Sequence, residues 1–403
     1  MPPYSRAVRA GRPFVHNPRM TRLLFVVSED WYFWSHRLSL ARAALAAGFE
    51  VGLATRAGKY ADAVAAEGIR LIPLSFLNRG SKNPLREAAA LSELVDAYRD
   101  FKPTIAHHVA IKPVLYGTLA ARATRVPVVV NALGGLGYAF LSQTRTARLM
   151  RPFIFAAMRF ALDAPRAALI VQNSEDARTL LANRLVRNER LVLIRGSGVD
   201  TDIYRPTPEP DCEPVVVLPA RMLWDKGVGE FAAAARILRG RGVRARFVLV
   251  GQPDRHNPRA VPRSQLEAWA REGVVEWWGL KHDMAEVYAK AHIVCLPTYY
   301  EGLPKALLEA AACGKPIVAT DIPGCREIAR PGVNALLAPV RDAQSLAAAL
   351  ERLIADPALR HELGAAGRRI AEQEFTHQAV ADQTLGLYAR LLAPVGAPAT
   401  VPL

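Results

Sequence analysis

Short runs of β-branched and aliphatic residues alternate with longer amphipathic stretches along almost the whole chain. The short runs predict strands, and the stretches between them place apolar residues three and four positions apart, as a helix does. Regular alternation of strands and helices is typical of parallel sheets with helices on both faces. The predicted strands are 23–27, 51–55, 70–73, 104–108, 127–131, 168–172, 190–194, 214–218, 246–250, 274–278, 293–296, 316–319 and 334–337, and the clearest predicted helices are 35–47, 84–101, 229–239 and 342–354.

The predicted strands fall into two groups, which meet at the glycine-containing segment IRGSGVD and the Pro-rich TPEPDCEP after it. Because 403 residues exceed what one hydrophobic core usually supports, we expect two α/β domains. The first 19 residues are rich in Pro and Arg and predict a disordered basic tail, with the start at Met1 or Met20 left open. The predicted boundaries are 20–197 for the first domain, 198–380 for the second, and 381–403 for a helix that crosses back to the first domain, followed by a tail.

Charged residues and glycines follow four strands of the second half. In open α/β sheets, ligands bind beyond the carboxyl ends of the strands, so these residues should share one crevice. Two cations there would attract an anion, and the glycines would let a ligand approach the backbone closely. The residues concerned are Arg221, Lys226, Gly251, Gly279, Glu301 and Gly302.

The stretch EGLPKALLE carries two carboxylates eight positions apart. Pro304 suits the first turn of a helix, which places Glu301 on the preceding loop and Glu309 in the second helical turn. The unpaired N–H groups at the start of that helix favour an anion, and together with the two nearby cations they predict a bound diphosphate. Carboxylates beside a diphosphate would accept hydrogen bonds from the hydroxyls of a ribose and a sugar on either side of it.

The net charge of +15 is concentrated in the first half of the chain. Residues 1–200 contain 28 Lys and Arg against 14 Asp and Glu, and residues 101–162 contain eight Lys and Arg and no acid. We therefore expect the first domain to face an anionic partner, such as a membrane surface, a polyphosphate or a nucleic acid.

Residues 142–162 of this basic region predict an amphipathic helix. A basic helical face with large apolar residues mixed into it suits an anionic bilayer interface, and we hypothesise that this helix docks the first domain on the inner membrane. A core-packing helix with a solvated arginine side would show the same pattern. The residues on this arc are Arg145, Arg148, Arg151 and Arg159, with Phe155 and Leu162 among them.

No apolar run approaches the roughly 20 residues that cross a bilayer as a helix. The four cysteines form no C-x-x-C pair, and three of them fall inside apolar segments, so we expect free thiols in a reducing cytoplasm.

Several motifs in a fixed order add a specific resemblance. The second half contains ARMLWDKG at 220–227, VGQPDRHNP at 250–258, the paired acids of 301–309, and PGCREI at 323–328. The first half contains HHVAIKPVLYG at 107–117 and GGLGYAFLS at 134–142. From about Thr21 to Leu392 the chain resembles glycosyltransferase family 4, whose members are retaining, nucleotide-sugar-dependent enzymes with two facing Rossmann-like domains, the GT-B architecture. The first-half motifs look like the branch that assembles capsule, O-antigen and lipid-linked glycans.

The resemblance implies roles for the residues at the strand ends. Arg221 and Lys226 would clamp the donor diphosphate. Glu309 would hold the ribose hydroxyls, and Glu301 would contact hydroxyls of the transferred sugar. The base would rest near 279–281. The further donor contacts that the resemblance implies are Gly251, Gly279, Leu280, Gly302, Leu303 and Pro304.

For the first domain, the resemblance implies that a histidine approaches the sugar from the side opposite to the donor domain. His107 and His108 stand at the carboxyl end of the predicted strand 104–108, and which of the two acts stays open. Many family members have a Gly-Gly loop after the first strand, where this chain has SEDW at 28–31, so acceptor or phosphate contacts there stay open. The implied acceptor or membrane contacts are Gly134, Gly135, Gly137, Tyr138, Arg145, Arg148, Arg151 and Phe155.

The resemblance also implies a reaction that keeps the anomeric configuration, with the acceptor hydroxyl attacking on the face that the leaving phosphate departs from. The expected donor is a UDP-sugar, and the expected acceptor is a polyprenyl-diphosphate-linked sugar at the cytoplasmic face of the inner membrane. We predict no metal and no other cofactor, because two cations and a helix N-terminus suffice for the diphosphate. The D-x-D of Asp200 and Asp202, a pattern that holds Mn²⁺ in unrelated glycosyltransferases, falls at the domain junction.

Other classes of protein fit the sequence less well. A nucleic-acid-binding protein would show aromatic residues interleaved with basic ones or a known module, and neither occurs here. A dinucleotide-dependent enzyme needs G-x-G-x-x-G after the first strand, where LLFVVSEDWYFWSHRL has no glycine. A glycosyltransferase or phosphorylase that acts on a soluble acceptor stays open as an alternative.

Overall fold

The computed structural model describes residues 21–77, 83–136, 145–162, 166–254 and 257–393, which form two parallel sheets. The first sheet has the spatial order β3-β2-β1-β4-β5-β6-β7 and contains β1 (Arg22–Glu29), β2 (Glu50–Arg56), β3 (Arg70–Pro73), β4 (Ile105–Val109), β5 (Val128–Ala132), β6 (Ala167–Val171) and β7 (Leu191–Leu193). The second has the order β10-β9-β8-β11-β12-β13 and contains β8 (Val215–Pro219), β9 (Arg246–Val250), β10 (Glu276–Gly279), β11 (Ile293–Leu296), β12 (Ile317–Thr320) and β13 (Ala335–Ala338).

Helices connect the strands and cover the two sheets. Those of the first domain are α1 (Asp30–His36), α2 (Leu38–Ala46), α3 (Ala61–Ala66), α4 (Pro84–Phe101), α5 (Ile111–Ala123), α6 (Arg145–Leu162) and α7 (Ser174–Ala182). The later ones are α8 (Val228–Gly240), α9 (Arg263–Arg271), α10 (Met284–Ala289), α11 (Lys305–Ala312), α12 (Pro323–Arg326), α13 (Ala343–Ala355), α14 (Pro357–Glu374) and α15 (His377–Leu392).

The central strands are buried on both faces, which explains why the sequence shows them as continuous apolar runs. In β1, for example, residues 23–27 are at most 1% exposed. Every predicted strand overlaps an observed one, and each sheet is sandwiched between helices. The predicted α/β fold with two Rossmann-like domains is therefore confirmed.

The first predicted helix, 35–47, differs from the observed structure. Two helices occupy this region, α1 and α2, and they meet at Arg37, whose backbone is not helical. The run of aromatic residues before Ser35 has a low intrinsic helix propensity, which is why the sequence pattern places the helix start too late. Burial of Phe33 in the core of the first domain, where it is fully inaccessible, stabilises the earlier start.

The last helix lies against the first domain rather than the second. α15 places Val380, Leu385 and Tyr388 in the same hydrophobic cluster as the β1 and β2 side chains. The chain passes between the domains twice, at Val199 and again at 375–377, and these two segments are hydrogen-bonded to each other. Val199 N donates to Phe375 O at 2.8 Å, and His377 N donates to Val199 O at 3.1 Å. The two domains are thus joined by two chain segments that are hydrogen-bonded to each other.

Candidate active site

A cavity of about 840 Å³ opens between the two domains, where the strand ends of the second sheet face the first domain. Four residues that the sequence predicts at a donor site line it together, because the loops after β8, β9 and β10 and the start of α11 converge there. They are Arg221, Gly251, Leu280 and Glu309.

The first-domain wall of this cavity comes from two segments, the SEDW stretch noted in the sequence and a second one that the sequence did not single out. Trp31 of α1 and the pair Lys59 and Tyr60 line it. The buried Asp30 carboxylate fixes this arrangement, since its Oδ2 accepts from Gly58 N at 2.8 Å and from Tyr60 N at 2.9 Å. The residues that replace the expected Gly-Gly loop therefore shape the cavity wall, and Lys59 adds a cation to it.

Glu309 is nearly buried at the base of the cavity, with 6% of its surface exposed. The Tyr288 hydroxyl donates to Oε2 at 3.0 Å, and Lys305 Nζ lies 3.4 Å from Oε1. These contacts hold the carboxylate in one orientation. The helix itself begins at Lys305 with Pro304 as its extended N-cap, one residue later than predicted, and no side chain caps it. Its first N–H groups are therefore available to an anion.

Each predicted phosphate-binding cation is paired with a carboxylate from the neighbouring strand end. Lys226 Nζ forms an ion pair with Glu301 Oε1, and the two side chains are only 16% and 21% exposed. Arg221 Nη1 lies 3.0 Å from Asp254 Oδ2 and is about half exposed. β8 lies between β9 and β11 in the sheet, so the segment after β8 meets Asp254 after β9 on one side and Glu301 after β11 on the other.

Gly279 and Leu303 support the site indirectly. Gly279 O accepts from Gly251 N at 2.8 Å, which joins the ends of β9 and β10. Leu303 is 8% exposed and packs in the hydrophobic core of the second domain.

The two domains touch at Gly302, next to Glu301. A Cβ on Gly302 would lie 2.0 Å from the carbonyl oxygen of Gly134, so only glycine allows this approach. The Gly302 carbonyl accepts from Asn173 Nδ2 at 3.0 Å across the same boundary. The structure therefore brings Gly134 and its neighbour Gly135, predicted at the acceptor, next to the loop that carries Glu301.

Replacing Gly302 by Ala should lower kcat/KM by about tenfold or more, because the new Cβ would force the two backbones apart at the site and misplace Glu301. Steady-state nucleotide release measures this. Gly240→Ala is the matched control, since a Cβ there meets nothing within 4 Å. Equal activity of the two variants would show that this domain contact has no role in turnover.

Asn173 and Asp176 are boundary residues that the sequence analysis missed. Asp176 is buried, and its Oδ2 accepts from Asn173 Nδ2 at 3.0 Å, from Leu136 N at 3.3 Å and from the Tyr300 hydroxyl at 3.3 Å. Burial raises the pKa of this carboxyl above its ordinary value. Asn173 lies two residues after β6 as the N-cap of α7, and Asp176 lies in the first turn of that helix, so the strand-end rule that identified Arg221 could have found this segment.

The two predicted histidines lie inside β4, and both are buried. His108 Nε2 and Nδ1 lie 2.7 Å from the Tyr98 hydroxyl and from Asn131 Oδ1, respectively. His107 Nδ1 is hydrogen-bonded to the Tyr388 hydroxyl of α15. β4 continues one residue further than the predicted strand, to Val109, and neither histidine ring is accessible to a sugar here.

We expect stability to fall as the pH is lowered from about 6.5 to about 4. Burial lowers the pKa of His108 from 6.5 to about 4, so the unfolded chain binds this proton more readily than the folded one. The loss from His108 alone is about 3 kcal/mol by pH 4. Urea unfolding of the wild type and of His108→Gln would measure it, with the exposed His361→Gln as control. Parallel pH profiles for His108→Gln and the wild type would contradict the prediction.

Some predicted residues cannot be placed in the site. Gly137 and Tyr138 lie outside the described residues, as do the side chains of Arg145 and Arg148, although both belong to α6. Phe155 is partly buried and packs against the cluster under α6, so it does not present itself to a membrane as expected.

At the domain junction, the D-x-D forms a local turn. Asp200 Oδ1 accepts from the N–H groups of Asp202 and Ile203, each at 3.0 Å. Across the described parts of the chain, no cluster of three or more potential metal ligands occurs. Among the same residues, no helix is long and apolar enough to cross a membrane.

Two parallel-sheet domains that face each other across a cleft define the class of GT-B glycosyltransferases. Two family models match in succession and together span well over half of the chain: "Glycosyl transferase 4-like" at residues 22–174 and "Glycosyl transferases group 1" at residues 213–356. The chain therefore belongs to glycosyltransferase family 4 and is a glycosyltransferase.

Individual relatives include glycosyltransferases named for a diphospho-undecaprenol substrate and for capsular polysaccharide biosynthesis. It is 28% identical, over 81% of its length and 88% of the relative, to the N,N'-diacetylbacillosaminyl-diphospho-undecaprenol alpha-1,3-N-acetylgalactosaminyltransferase of Campylobacter jejuni. It is 22% identical, over 74% of its length and 80% of the relative, to the capsular polysaccharide biosynthesis glycosyltransferase CapM of Staphylococcus aureus. Among solved structures, Anabaena Alr3699/HepE in complex with UDP and glucose superposes with a TM-score of 0.72 at 19% identity, over 92% of this chain and 99% of that one.

Proposed function

We propose that the chain transfers a sugar from a UDP-sugar to a polyprenyl-diphosphate-linked glycan, with retention of configuration and without a metal. The observation that carries this proposal is the convergence of Arg221, Glu309 and the uncapped start of α11 on one cavity. Lys226 and Glu301 do not line this cavity, but their ion pair joins the segment after β8 to the loop that leads into α11. Cations and helix N–H groups suit a diphosphate, and carboxylates on either side of it suit hydroxyls. The UDP complex of the Anabaena neighbour and the undecaprenol-linked substrate in the Campylobacter enzyme's name support the choice of nucleotide and acceptor.

On binding, the donor would replace the carboxylates that now pair with the two cations. Its diphosphate would take the place of Glu301 and Asp254 as partner of Lys226 and Arg221, and the freed Glu301 would turn to the sugar hydroxyls. Glu309 already holds a fixed orientation and would accept from the ribose hydroxyls. The base would lie against Leu280 and its neighbours on the same wall.

In the proposed reaction, the bond between the acceptor oxygen and the anomeric carbon forms on the face from which the diphosphate leaves. The acceptor proton passes to the leaving phosphate oxygen, so the protein supplies no nucleophile. Its contribution is to position both substrates and to stabilise the charge that grows on the diphosphate. Lys226, Arg221 and the α11 N-terminus are the groups suited to this task.

A donor screen tests the proposal. UDP-, GDP- and ADP-sugars would each be offered with a polyprenyl-diphosphate-linked sugar, and with a soluble glycan as the second acceptor, while nucleotide release is followed with and without EDTA. We expect turnover with a UDP-sugar and the lipid-linked acceptor, unaffected by EDTA. Loss of activity in EDTA would contradict metal independence, and turnover with the soluble glycan alone would contradict the proposed acceptor.

For access to a lipid-linked acceptor, we propose that α6 docks on an anionic membrane. Leu149 is 72% exposed and Phe160 is 58% exposed, so α6 presents apolar side chains to solvent among its arginines.

Replacing Arg145, Arg148 and Arg151 together by Glu should abolish binding to anionic vesicles, because attraction to the lipid headgroups becomes repulsion. Vesicle flotation measures binding. A triple Glu variant at Arg236, Arg241 and Arg246, on the second domain, is the charge-matched control. If the α6 variant floats with the vesicles as the wild type does, the docking idea is wrong.

A further inference from the structure

A second cavity, of about 640 Å³, lies in the first domain at the edge of the sheet opposite to the active-site cleft. Its lining residues come from the ends of α5, α6 and α7 and from the segment just before β7. These positions precede strands, whereas the cleft is built from residues that follow strands. A five-residue strand is roughly 16 Å long, so the two cavities are separated by about that distance or more.

This cavity is lined by arginines and apolar side chains. None of its described lining residues is acidic. The apolar part includes Phe160, whose ring packs under the Arg122 guanidinium with 4.0 Å between the two centres. The arginines are Arg122, Arg159, Arg184, Arg187 and Arg190.

Surface arginines of the second domain are paired with carboxylates, unlike two of those at this cavity. On the second domain, Arg236 and Arg241 each reach a glutamate at 2.6 Å, and Arg246 forms a two-bond pair with Glu276. By contrast, the guanidinium groups of Arg122 and Arg184 form no hydrogen bond or ion pair with any residue that the structure describes. Two positive groups are thus held at one cavity without a counter-charge from the described chain.

Neighbouring arginines are fixed in place by the backbone. Arg159 Nη2 donates to Asn183 O at 2.7 Å and its Nε donates to Arg184 O at 3.0 Å, at the C-terminal end of α7. The partial negative charge of a helix end is about half an elementary charge, so one arginine more than neutralises it. The cavity therefore keeps an excess of positive charge on a scaffold that is already ordered.

We propose that this cavity binds an anion that carries phosphate groups, separately from the donor site. Guanidinium groups bind phosphate oxygens in pairs of hydrogen bonds, and several of them around one cavity suit a diphosphate or a phosphomonoester better than a single carboxylate. The exposed Phe160 ring at the rim would cover the organic part of the ligand. The ligand is either a free phosphate compound or the headgroup of an anionic lipid, and the proposal does not depend on the transfer reaction.

Two probes distinguish these sources: inorganic diphosphate, titrated by calorimetry, and vesicles of phosphatidylcholine with phosphatidic acid, assayed by flotation. The full chain is compared with Arg122→Gln/Arg184→Gln, and the control is Arg236→Gln/Arg241→Gln. Because diphosphate is also expected in the cleft, the titration is repeated in an Arg221→Met/Lys226→Met background, which removes both predicted phosphate-binding cations of the cleft. Melting temperatures show that each variant is folded.

In the Arg221→Met/Lys226→Met background, the Arg122/Arg184 substitutions should weaken binding of at least one probe by about tenfold or more, and the control should change neither. Loss of diphosphate binding alone identifies a free phosphate ligand, and loss of vesicle binding alone identifies a lipid headgroup. The proposal is wrong if neither probe binds, or if both bind the Arg122/Arg184 variant as well as they bind the control.

Discussion

Replacing Lys226 by Met should lower kcat/KM by about 10²- to 10³-fold, which is the scale of losing one fixed charge or donor that stabilises a transition state. Lys226 is the more buried of the two candidate phosphate-binding cations, and its ammonium is held at the end of β8 by Glu301. In such a partly enclosed position a charge interacts more strongly than at the surface. Because negative charge on the diphosphate grows as it leaves, we expect the loss to appear mainly in kcat.

Arg221→Met provides the internal comparison. Arg221 is about half exposed and already faces Asp254, so its loss should cost only about tenfold. Nucleotide release at several donor concentrations separates kcat from KM, and thermal melting checks the fold. The double variant Lys226→Met/Glu301→Gln removes the unpaired carboxylate that the single variant leaves. Recovery of activity in the double variant would mean that Lys226 serves only to neutralise Glu301.

Replacing Glu309 by Gln should lower kcat/KM by about 10²-fold, mainly through weaker binding of the nucleotide. The glutamine amide oxygen can still accept from Tyr288, so the local structure should survive, but the charge that strengthens hydrogen bonds to the ribose hydroxyls is lost. Calorimetric titration with UDP measures this effect without turnover. Glu309→Ala should in addition lower the melting temperature, because the buried Tyr288 hydroxyl loses its carboxylate acceptor.

Glu301→Gln is the variant that separates the two carboxylates. We expect it to reduce turnover by about 10²-fold while UDP affinity stays near the wild-type value, because Glu301 is proposed to contact the sugar and UDP carries none. Glu374→Gln, on the surface of α14, is the control for the loss of a carboxylate elsewhere. If Glu301→Gln and Glu309→Gln weaken UDP binding equally, the assignment of Glu301 to the sugar and Glu309 to the ribose is wrong.

Much of the fold and half of the site follow from local sequence. The strands are visible because they are buried on both faces, and parallel pairing then brings Arg221, Gly251 and Glu301 to one edge of a sheet. Local pattern does not show where a buried strand ends. The sequence places His107 and His108 at the end of this strand, but β4 continues to Val109 and both histidines are buried. For α6, helical spacing groups Arg159 with the other arginines, but it does not show that Arg159 turns to the end of α7.

Contacts between the domains are the part that the sequence could not provide. Asn173 and Gly302 are 129 positions apart, and nothing in either stretch indicates the partner. The first-domain wall at Trp31 and Tyr60 depends in the same way on the Asp30 carboxylate reaching residues 28 and 30 positions away. The Asn173 contact depends on how two finished domains meet, and the Asp30 contacts depend on how distant segments of the first domain meet. Neither is visible in any local run of sequence.

The paired crossing at Val199 and His377 limits how such an enzyme can be recombined. A chimaera joined only near residue 197 would combine a first domain with a foreign α15, and the foreign helix would have to fill the space of Leu385 and Tyr388 against β1 and β2. A chimaera therefore has to take α15 and the first domain from the same parent, although the whole second domain lies between them in the sequence. Exchanging donor specificity between relatives requires an internal replacement with two junctions, one in each of the adjacent crossing segments.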